Sequence, residues 1–273
     1  MGKFDHIIIV TDMDGTFLDS TGRPVEKNIR AVEAFCREGG HFTFSTGRMH
    51  GDFALRMPEL LPLANLPAIL VNGSYLYDFA TKTVIEADYF DCTLARELNA
   101  LVKRDYPGVG LRITTSTGFL TESVTDLIAR DMRGMMDIVE VRGAETWDGG
   151  LYYKAVARGE ADVLLCLRAD AEARWPGALA LTRSGARTLE FMPAGISKAT
   201  RLPRLRELCT VDGKPPVLYA AGDFENDFEM LRAADVAVCP TNALPAIREI
   251  CDLSPASNDE GVIAALIAWL ENQ

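Results

Sequence analysis

An uninterrupted apolar run, Ile7-Ile8-Ile9-Val10, breaks off into Thr11-Asp12-Met13-Asp14-Gly15-Thr16. Four β-branched residues in a row suit a strand buried on both faces of a parallel sheet. A strand of that kind needs helices on both sides, which points to an α/β architecture. Asp12 and Asp14 lie at i and i+2 of an extended segment, so both side chains can address one ligand. Two like charges at the end of a buried strand are costly unless a cation shares the site. Gly15 lets the chain turn where a side chain could not follow. Asp and Gly are also common turn residues, so this stretch alone equally suits a plain strand-to-loop turn.

The same texture continues on both flanks of the chain. Residues 24–38 read as a helix, with Val25, Ile29, Val32 and Phe35 at helical spacing and Gly39-Gly40 as its stop. A second strand, 41–45, runs into Thr46-Gly47-Arg48. A helix at about 52–61 and a strand at 68–71 follow, the strand ending in Asn72-Gly73-Ser74. Near the other end, 197–209 reads as a helix carrying Lys198 near its start. The buried strand 216–221 then ends in Gly222-Asp223-Phe224-Glu225-Asn226-Asp227. Helices at 228–233, 244–250 and 261–270 and a short strand at 236–238 complete the pattern. This alternation predicts a doubly wound parallel sheet.

Between these flanks the order changes. A hairpin (75–77 with 84–86), a helix at 94–106 and strands at 110–114, 138–141 and 151–157 precede a helix at 160–173. Strands at 178–182 and 188–192 close the block, which reads as an inserted α+β domain. The expected division is a core of 1–84 and 188–273 with an insertion of 85–187.

The chain has 273 residues and a net charge of −11, from 28 basic and 39 acidic residues. That balance argues against nucleic acid or an anionic membrane as partner, yet a local cation can still recruit a small anion. No apolar run reaches the length of a membrane span, and Met1-Gly2-Lys3-Phe4-Asp5-His6 lacks a signal-peptide layout. Cys36, Cys92, Cys166, Cys209, Cys239 and Cys251 are scattered singly, mostly in apolar surroundings. They read as reduced, buried thiols of a cytoplasmic protein, and no Cys/His spacing suits zinc. Nothing in the residues sets an oligomeric state.

Four polar clusters follow strands or open helices: Asp12 with Asp14, Thr46 with Gly47, Lys198, and Asp223 with Asn226 and Asp227. Each has a bland reading, as a loop, an acidic first turn or a surface lysine. In an open parallel sheet, however, the carboxyl ends of the strands share one ligand edge, where the clusters could converge. Arg48 and Lys198 are both expected near helix N-termini, where a cation is disfavoured by about 0.3–1 kcal/mol. An anion bound between them explains that placement, and phosphate suits helix starts and hydroxyl donors.

Taken together, Asp12-Met13-Asp14-Gly15-Thr16, Ser45-Thr46-Gly47-Arg48, Lys198 and Gly222-Asp223 with Asn226-Asp227 resemble the four motifs of the haloacid dehalogenase superfamily. The chain is similar to its Cof-like phosphatases with a large C2-type (IIB) cap, and Asn72-Gly73-Ser74, Gly195-Ile196-Ser197-Lys198 and Asp259-Glu260-Gly261-Val262 match that branch as well. Ala199 stands where a glycine is common. The resemblance implies a Rossmannoid core, a capping domain and an aspartyl-phosphate intermediate. Asp12 is then the nucleophile, Asp14 the general acid and base, and Lys198 the charge neutraliser. The Asp12 carboxylate, the Asp14 backbone carbonyl and Asp223 hold Mg²⁺. Thr46, Gly47 and Lys198 bind the phosphoryl oxygens with help from Asn226, while Asp227 and Arg48 support the site. The dehalogenases of this superfamily lack a carboxylate at the position of Asp14, which favours phosphoryl chemistry.

The expected function is a Mg²⁺-dependent phosphatase acting on a small phosphorylated metabolite, with a sugar phosphate foremost. A phosphotransferase or mutase using the same aspartyl-phosphate, and a metal- and phosphate-binding regulator without turnover, stay open. His50 reads as a solvated helix start, and Trp147, Trp175 and Trp269 as packing anchors. Arg112, Lys154, Arg183 and Arg187 in the insertion read as solvated charges among which substrate contacts could lie.

Overall fold

The structure is a computed structural model that describes residues 2–273. The chain begins with β1 (Ile7–Thr11), α1 (Glu26–Arg37), β2 (His41–Phe44), α2 (His50–Arg56) and β3 (Ala68–Leu70). Next come β4 (Tyr75–Asp78), β5 (Thr83–Ala87), α3 (Cys92–Asp105), β6 (Gly110–Thr115), β7 (Phe119–Thr121) and α4 (Asp126–Asp131). Then follow β8 (Val139–Val141), β9 (Tyr152–Arg158), α5 (Ala161–Arg174), β10 (Leu179–Gly185) and β11 (Thr188–Pro193). The chain closes with α6 (Leu202–Leu208), β12 (Val217–Ala221), α7 (Phe228–Ala233), β13 (Val236–Val238), α8 (Pro245–Arg248) and α9 (Val262–Glu271).

Two compact units result, one formed by residues up to Glu86 together with Ser197–Gln273, the other by Ala87–Ile196. In the first, four parallel strands lie in the order β13-β12-β1-β2. β1 is flanked on both edges, Ile8 pairing with Leu218 on one side and His41 on the other, and all five of its residues are buried. Each such aliphatic side chain contributes roughly 1.5–3 kcal/mol when fully withdrawn from water. One side of the sheet packs Ile8, Val10 and Leu218 against Leu202 and Leu205 of α6 and Met230 and Leu231 of α7. Elsewhere Phe17, Phe42, Phe44 and Phe53 stack edge to face, with centroids 5.1–5.3 Å apart at the three T-shaped pairs. Asn28 ties α1 to its surroundings, its amide donating to Phe17 O (2.9 Å) and its carbonyl accepting from Ala264 N of α9 (3.0 Å). β3, β4 and β5 form a smaller sheet, joined in parallel to the end of β2 by a Ser45–Ile69 bridge. The doubly wound parallel core read from the sequence is therefore present.

The second unit is a six-stranded sheet ordered β10-β11-β9-β6-β7-β8, antiparallel except for the β7–β8 pair. Ala155, Ala157, Leu111, Ile113, Leu189 and Phe191 form one core with apolar residues of α3 and α5. Two features depart from the sequence reading. The insertion runs to Ile196, because β11 pairs with β10 and β9 and so belongs to this sheet, where residues from 188 onward were assigned to the core. The short elements β7 and α4 were not anticipated.

Several single residues also differ from expectation. Lys154 is buried and paired with Glu190, which also accepts from Ser184, so it is not a solvated charge. Arg112 lies over the Phe119 ring at 4.6 Å, while Arg187 pairs with Glu160 in an exposed position. Trp147 is a buried anchor whose Nε1 donates to Arg142 O (3.1 Å), but Trp269 is exposed. Of the six cysteines, all free thiols, only Cys209 and Cys239 are buried. Among the described residues no helix is long and apolar enough to cross a membrane.

Candidate active site

β1 delivers Asp12 to the carboxyl edge of the central sheet, where its amide donates to Ala221 O of β12 at 2.8 Å. The chain then leaves the sheet abruptly. Asp14 is extended (φ −79°, ψ 112°) and Gly15 is left-handed (φ 88°), which turns Thr16 back so that its Oγ1 donates to Asp223 Oδ1 at 2.9 Å. β2 ends beside it, with Ser45 N donating to Thr11 O (2.8 Å), and Thr46 N reaching Ile69 O (2.9 Å). β12 brings in the third cluster. In the loop after it, Asp227 Oδ2 accepts from the amides of Asp223 (2.9 Å) and Phe224 (3.1 Å), closing a compact turn around its own carboxylate.

Lys198 completes the centre. Its Nζ is fully buried, donating to Asp12 Oδ1 and, at 2.7 Å, to Asp227 Oδ1. It stands in a series of turns ahead of α6, which begins only at Leu202, so it is not at a helix start. The helix-dipole argument for a bound anion fails at this residue; Lys198 is explained by the carboxylates it joins. Arg48 precedes α2 and is likewise paired. Its Nε and Nη2 donate to the two Asp14 oxygens at 3.0 and 2.7 Å, and Nη1 lies 3.6 Å from Asp52.

Single ligand atoms of Asp12, Asp223 and Asp227 lie within 4.8 Å of one another. Three carboxylates and one ammonium leave two negative charges when all are ionised, the charge that a divalent cation supplies. Burial, helped by Asp227, Asp223 and Asp14 and opposed by Lys198, drives the Asp12 carboxyl well above the usual carboxylate range. Burial and then Asp227 push Asp223 up to about 7. Lys198 goes the other way in charge: burial disfavours its ammonium, but Asp12 and Asp227 outweigh that and hold it protonated. An all-oxygen, anionic cluster short of positive charge is the donor set of a hard cation such as Mg²⁺.

The remaining residues form an adjoining polar chain. Thr46 Oγ1 accepts from Arg48 N (3.3 Å), and Thr46 O accepts from Asn72 N (3.0 Å). Asn72 Oδ1 accepts from Asn226 Nδ2 at 3.3 Å. Gly47 sits half-buried between Thr46 and Arg48. Val71, Asn72 and Gly73 all have positive φ (52°, 54° and 94°), which for a β-branched valine is strained. Arg201 braces this turn, donating to Gly73 O and Ser74 O at 3.1 Å each. His50 is not solvated: it stacks on Tyr77 (4.5 Å, 13°) and bonds the Tyr75 hydroxyl. Asp52 and Asn242, whose Nδ2 donates to Gly15 O at 3.0 Å, were not singled out in the sequence, and Thr16 was quoted there only as part of the first motif, with no role.

Residues 9–267 match a family model described as haloacid dehalogenase-like hydrolase. The chain belongs to that family. A 5-amino-6-(5-phospho-D-ribitylamino)uracil phosphatase of Bacillus subtilis is 24% identical, aligned over 96% of this chain and 97% of its own length. A solved haloacid dehalogenase-like hydrolase from Bacteroides thetaiotaomicron superposes with a TM-score of 0.80 at 21% identity, covering 97% of this chain and 99% of the other. A subclass IIB sugar phosphatase of the superfamily superposes with a TM-score of 0.81 at 17% identity, covering 97% and 98%. The haloacid dehalogenase fold expected from the four motifs is thus present over nearly the whole chain.

Proposed function

We propose that this chain is a Mg²⁺-dependent phosphohydrolase that acts on a small phosphorylated metabolite through a covalent Asp12 intermediate. The reading rests on one observation above the others: Lys198, fully buried, is shared between Asp12 and Asp227 beside Asp223. Asp12 supplies the attacking oxygen; a P–O bond forms to it as the ester P–O bond breaks. Asp14 gives a proton to the departing alcohol, then takes one from the water that cleaves the acyl phosphate. Inorganic phosphate leaves and Asp12 is regenerated. Lys198 faces the phosphoryl charge, and Asp227 holds Lys198 in place while its second oxygen shapes the loop carrying Asp223. Thr46, the Gly47 amide and Asn226 bind phosphoryl oxygens.

The Asp12 and Asp223 carboxylates and the Asp14 carbonyl would hold Mg²⁺. When bound, the ion neutralises charge as one anion approaches another. The relative named above for a phosphate on a ribityl chain makes primary alkyl phosphates of sugars and polyols the first compounds to examine. A cytoplasmic setting fits six free thiols.

The test is phosphate release from a panel of phosphometabolites, with and without Mg²⁺, by the wild type and Asp12→Asn. Release that requires both Mg²⁺ and Asp12 is expected. Equal release by the variant would overturn the mechanism, and transfer to an added alcohol with no phosphate released would replace hydrolase by transferase.

A further inference from the structure

Asp14 differs from the other three carboxylates of the site in being open to solvent and held from one side only. Its side chain is 56% exposed, whereas that of Arg48 is 18% exposed and that of Asp52 only 9%. Arg48 grips both Asp14 oxygens in the parallel two-bond manner of a guanidinium on a carboxylate. Asp52, in the first turn of α2, lies against the third guanidinium nitrogen at 3.6 Å, and Arg56 at the end of α2 donates to the other Asp52 oxygen at 2.7 Å. The four groups thus form a row of alternating charge, Arg56, Asp52, Arg48, Asp14, whose buried member is Asp52. α2 itself is pinned from behind, since Phe53 packs edge to face on Phe44 and Phe79.

We infer that Asp52 is a positioning residue for the general acid: by fixing the guanidinium of Arg48 it orients the Asp14 carboxylate toward the leaving oxygen. The inference deepens the phosphohydrolase reading above and depends on it. A carboxylate has about four acceptor positions, so the two taken by Arg48 leave a free position on each oxygen for the proton in transit. An exposed Asp without such a partner would otherwise sample several rotamers. Rigid attachment to a buried anchor removes that freedom, and misplacing a proton donor by an ångström is enough to slow the step it serves. Spacing accounts for the sequence side: Asp52 is four residues beyond Arg48, and Arg56 four beyond Asp52.

The test separates general-acid catalysis from fold integrity through the leaving group. An alkyl phosphate expels a poor leaving group that needs the proton, whereas p-nitrophenyl phosphate expels a stable phenolate that does not. In Asp52→Asn, the single-turnover rate of alcohol release from an alkyl phosphate should fall on the order of ten-fold, while the pre-steady-state burst rate of p-nitrophenolate release stays within about two-fold; hydrolysis of the acyl phosphate, which also uses Asp14, is common to both substrates and so is left out of the comparison. Arg56→Gln, which leaves the Asp52 carboxylate in place but unbraced, should shift the alkyl-to-aryl ratio in the same direction by a smaller factor, and carries the test if the first variant does not fold. Equal losses on both substrates, or no change in the ratio, would overturn the role of Asp52 and leave the phosphohydrolase reading intact. Absence of turnover of either substrate by the wild type would remove that reading and this inference with it.

Discussion

A Cβ placed on Gly15 would stand 2.5 Å from Oδ2 of Asp223, closer than real side chains approach one another. The two residues come from different strand ends, so a backbone without a side chain is what lets β1 and β12 present their carboxylates together. Gly15 also has φ 88°, a conformation that costs an L-residue roughly 1–2 kcal/mol. Gly15→Ala is expected to lower unfolding free energy by about 1–3 kcal/mol in urea titration and to displace Asp223. Phosphate release should then fall far more than stability alone requires. Wild-type activity in that variant would mean the contact is not needed.

Lys198 is the sole cation bonded to Asp12 among the described residues. Lys198→Met keeps the volume but leaves Asp12 and Asp227 buried without their shared ammonium. Removing one partner of such a buried group costs about 3–5 kcal/mol. Thermal melting should show this loss near pH 8, partly offset by added Mg²⁺, and smaller at pH 5 where a carboxyl can take up a proton instead.

The raised carboxyl of Asp223 sets a pH dependence with a definite sign. Its value is about 7 in the fold against an ordinary 3.8. Between those two pH values the native state retains a proton that the unfolded chain has lost, so stability without a divalent cation declines as pH rises across that window and stays reduced above it. Metal-free protein should therefore melt at a lower temperature at pH 8 than at pH 5.5. Asp223→Asn should flatten the trend, and Mg²⁺ should raise the melting temperature more at pH 8 than at pH 5.5, because the ion competes with the proton. A wild-type and Asp223→Asn pair with parallel pH profiles would contradict this.

Arg201 bonds two successive carbonyls of the left-handed turn that presents Asn72, and its third nitrogen reaches Glu86 at 3.3 Å. Arg201→Lys keeps charge but cannot span both carbonyls. A loss of roughly 1–3 kcal/mol is expected from the unpaired buried carbonyls. Relaxation of Val71 and Asn72 should weaken the hold on Asn226, raising KM for a phosphate ester more than it lowers kcat. An unchanged KM would show that Asn226 does not depend on this turn.

What could be read from the sequence was mostly what sits at the ends of long apolar strands. β1, β2 and β12 announce themselves by their apolar runs, and the rule that ligands gather at the carboxyl edge then groups Asp12, Thr46 and Asp223. Lys198 was found but misplaced, since residues 197–201 form turns before the helix; Pro203, at the first turn of α6, was the available signal for a later start. The boundary at 188 was drawn too early, since the order of elements had already grouped the strand at 188–192 with the insertion, where it pairs with β10 and β9. β7 and α4 span three and six residues, too short for either periodicity to show. The link from Asp52 to Arg48 was invisible for a different reason: i to i+4 spacing of opposite charges is common on surface helices, and only burial distinguishes this one.

The centre is assembled from residues made at very different times. Asp12 and Lys198 are 186 positions apart, with the whole second unit encoded between them. At ribosomal speeds of about 5–20 residues per second, the lysine emerges roughly 10–40 s after the aspartate. Throughout that delay one edge of β1 has no β12 to pair with, and its terminal carboxylate has no ammonium. The nascent amino-terminal part is therefore an open-edged, unneutralised fragment on the ribosome, and synthesis must pass Lys198 and then β12 before both defects are cured.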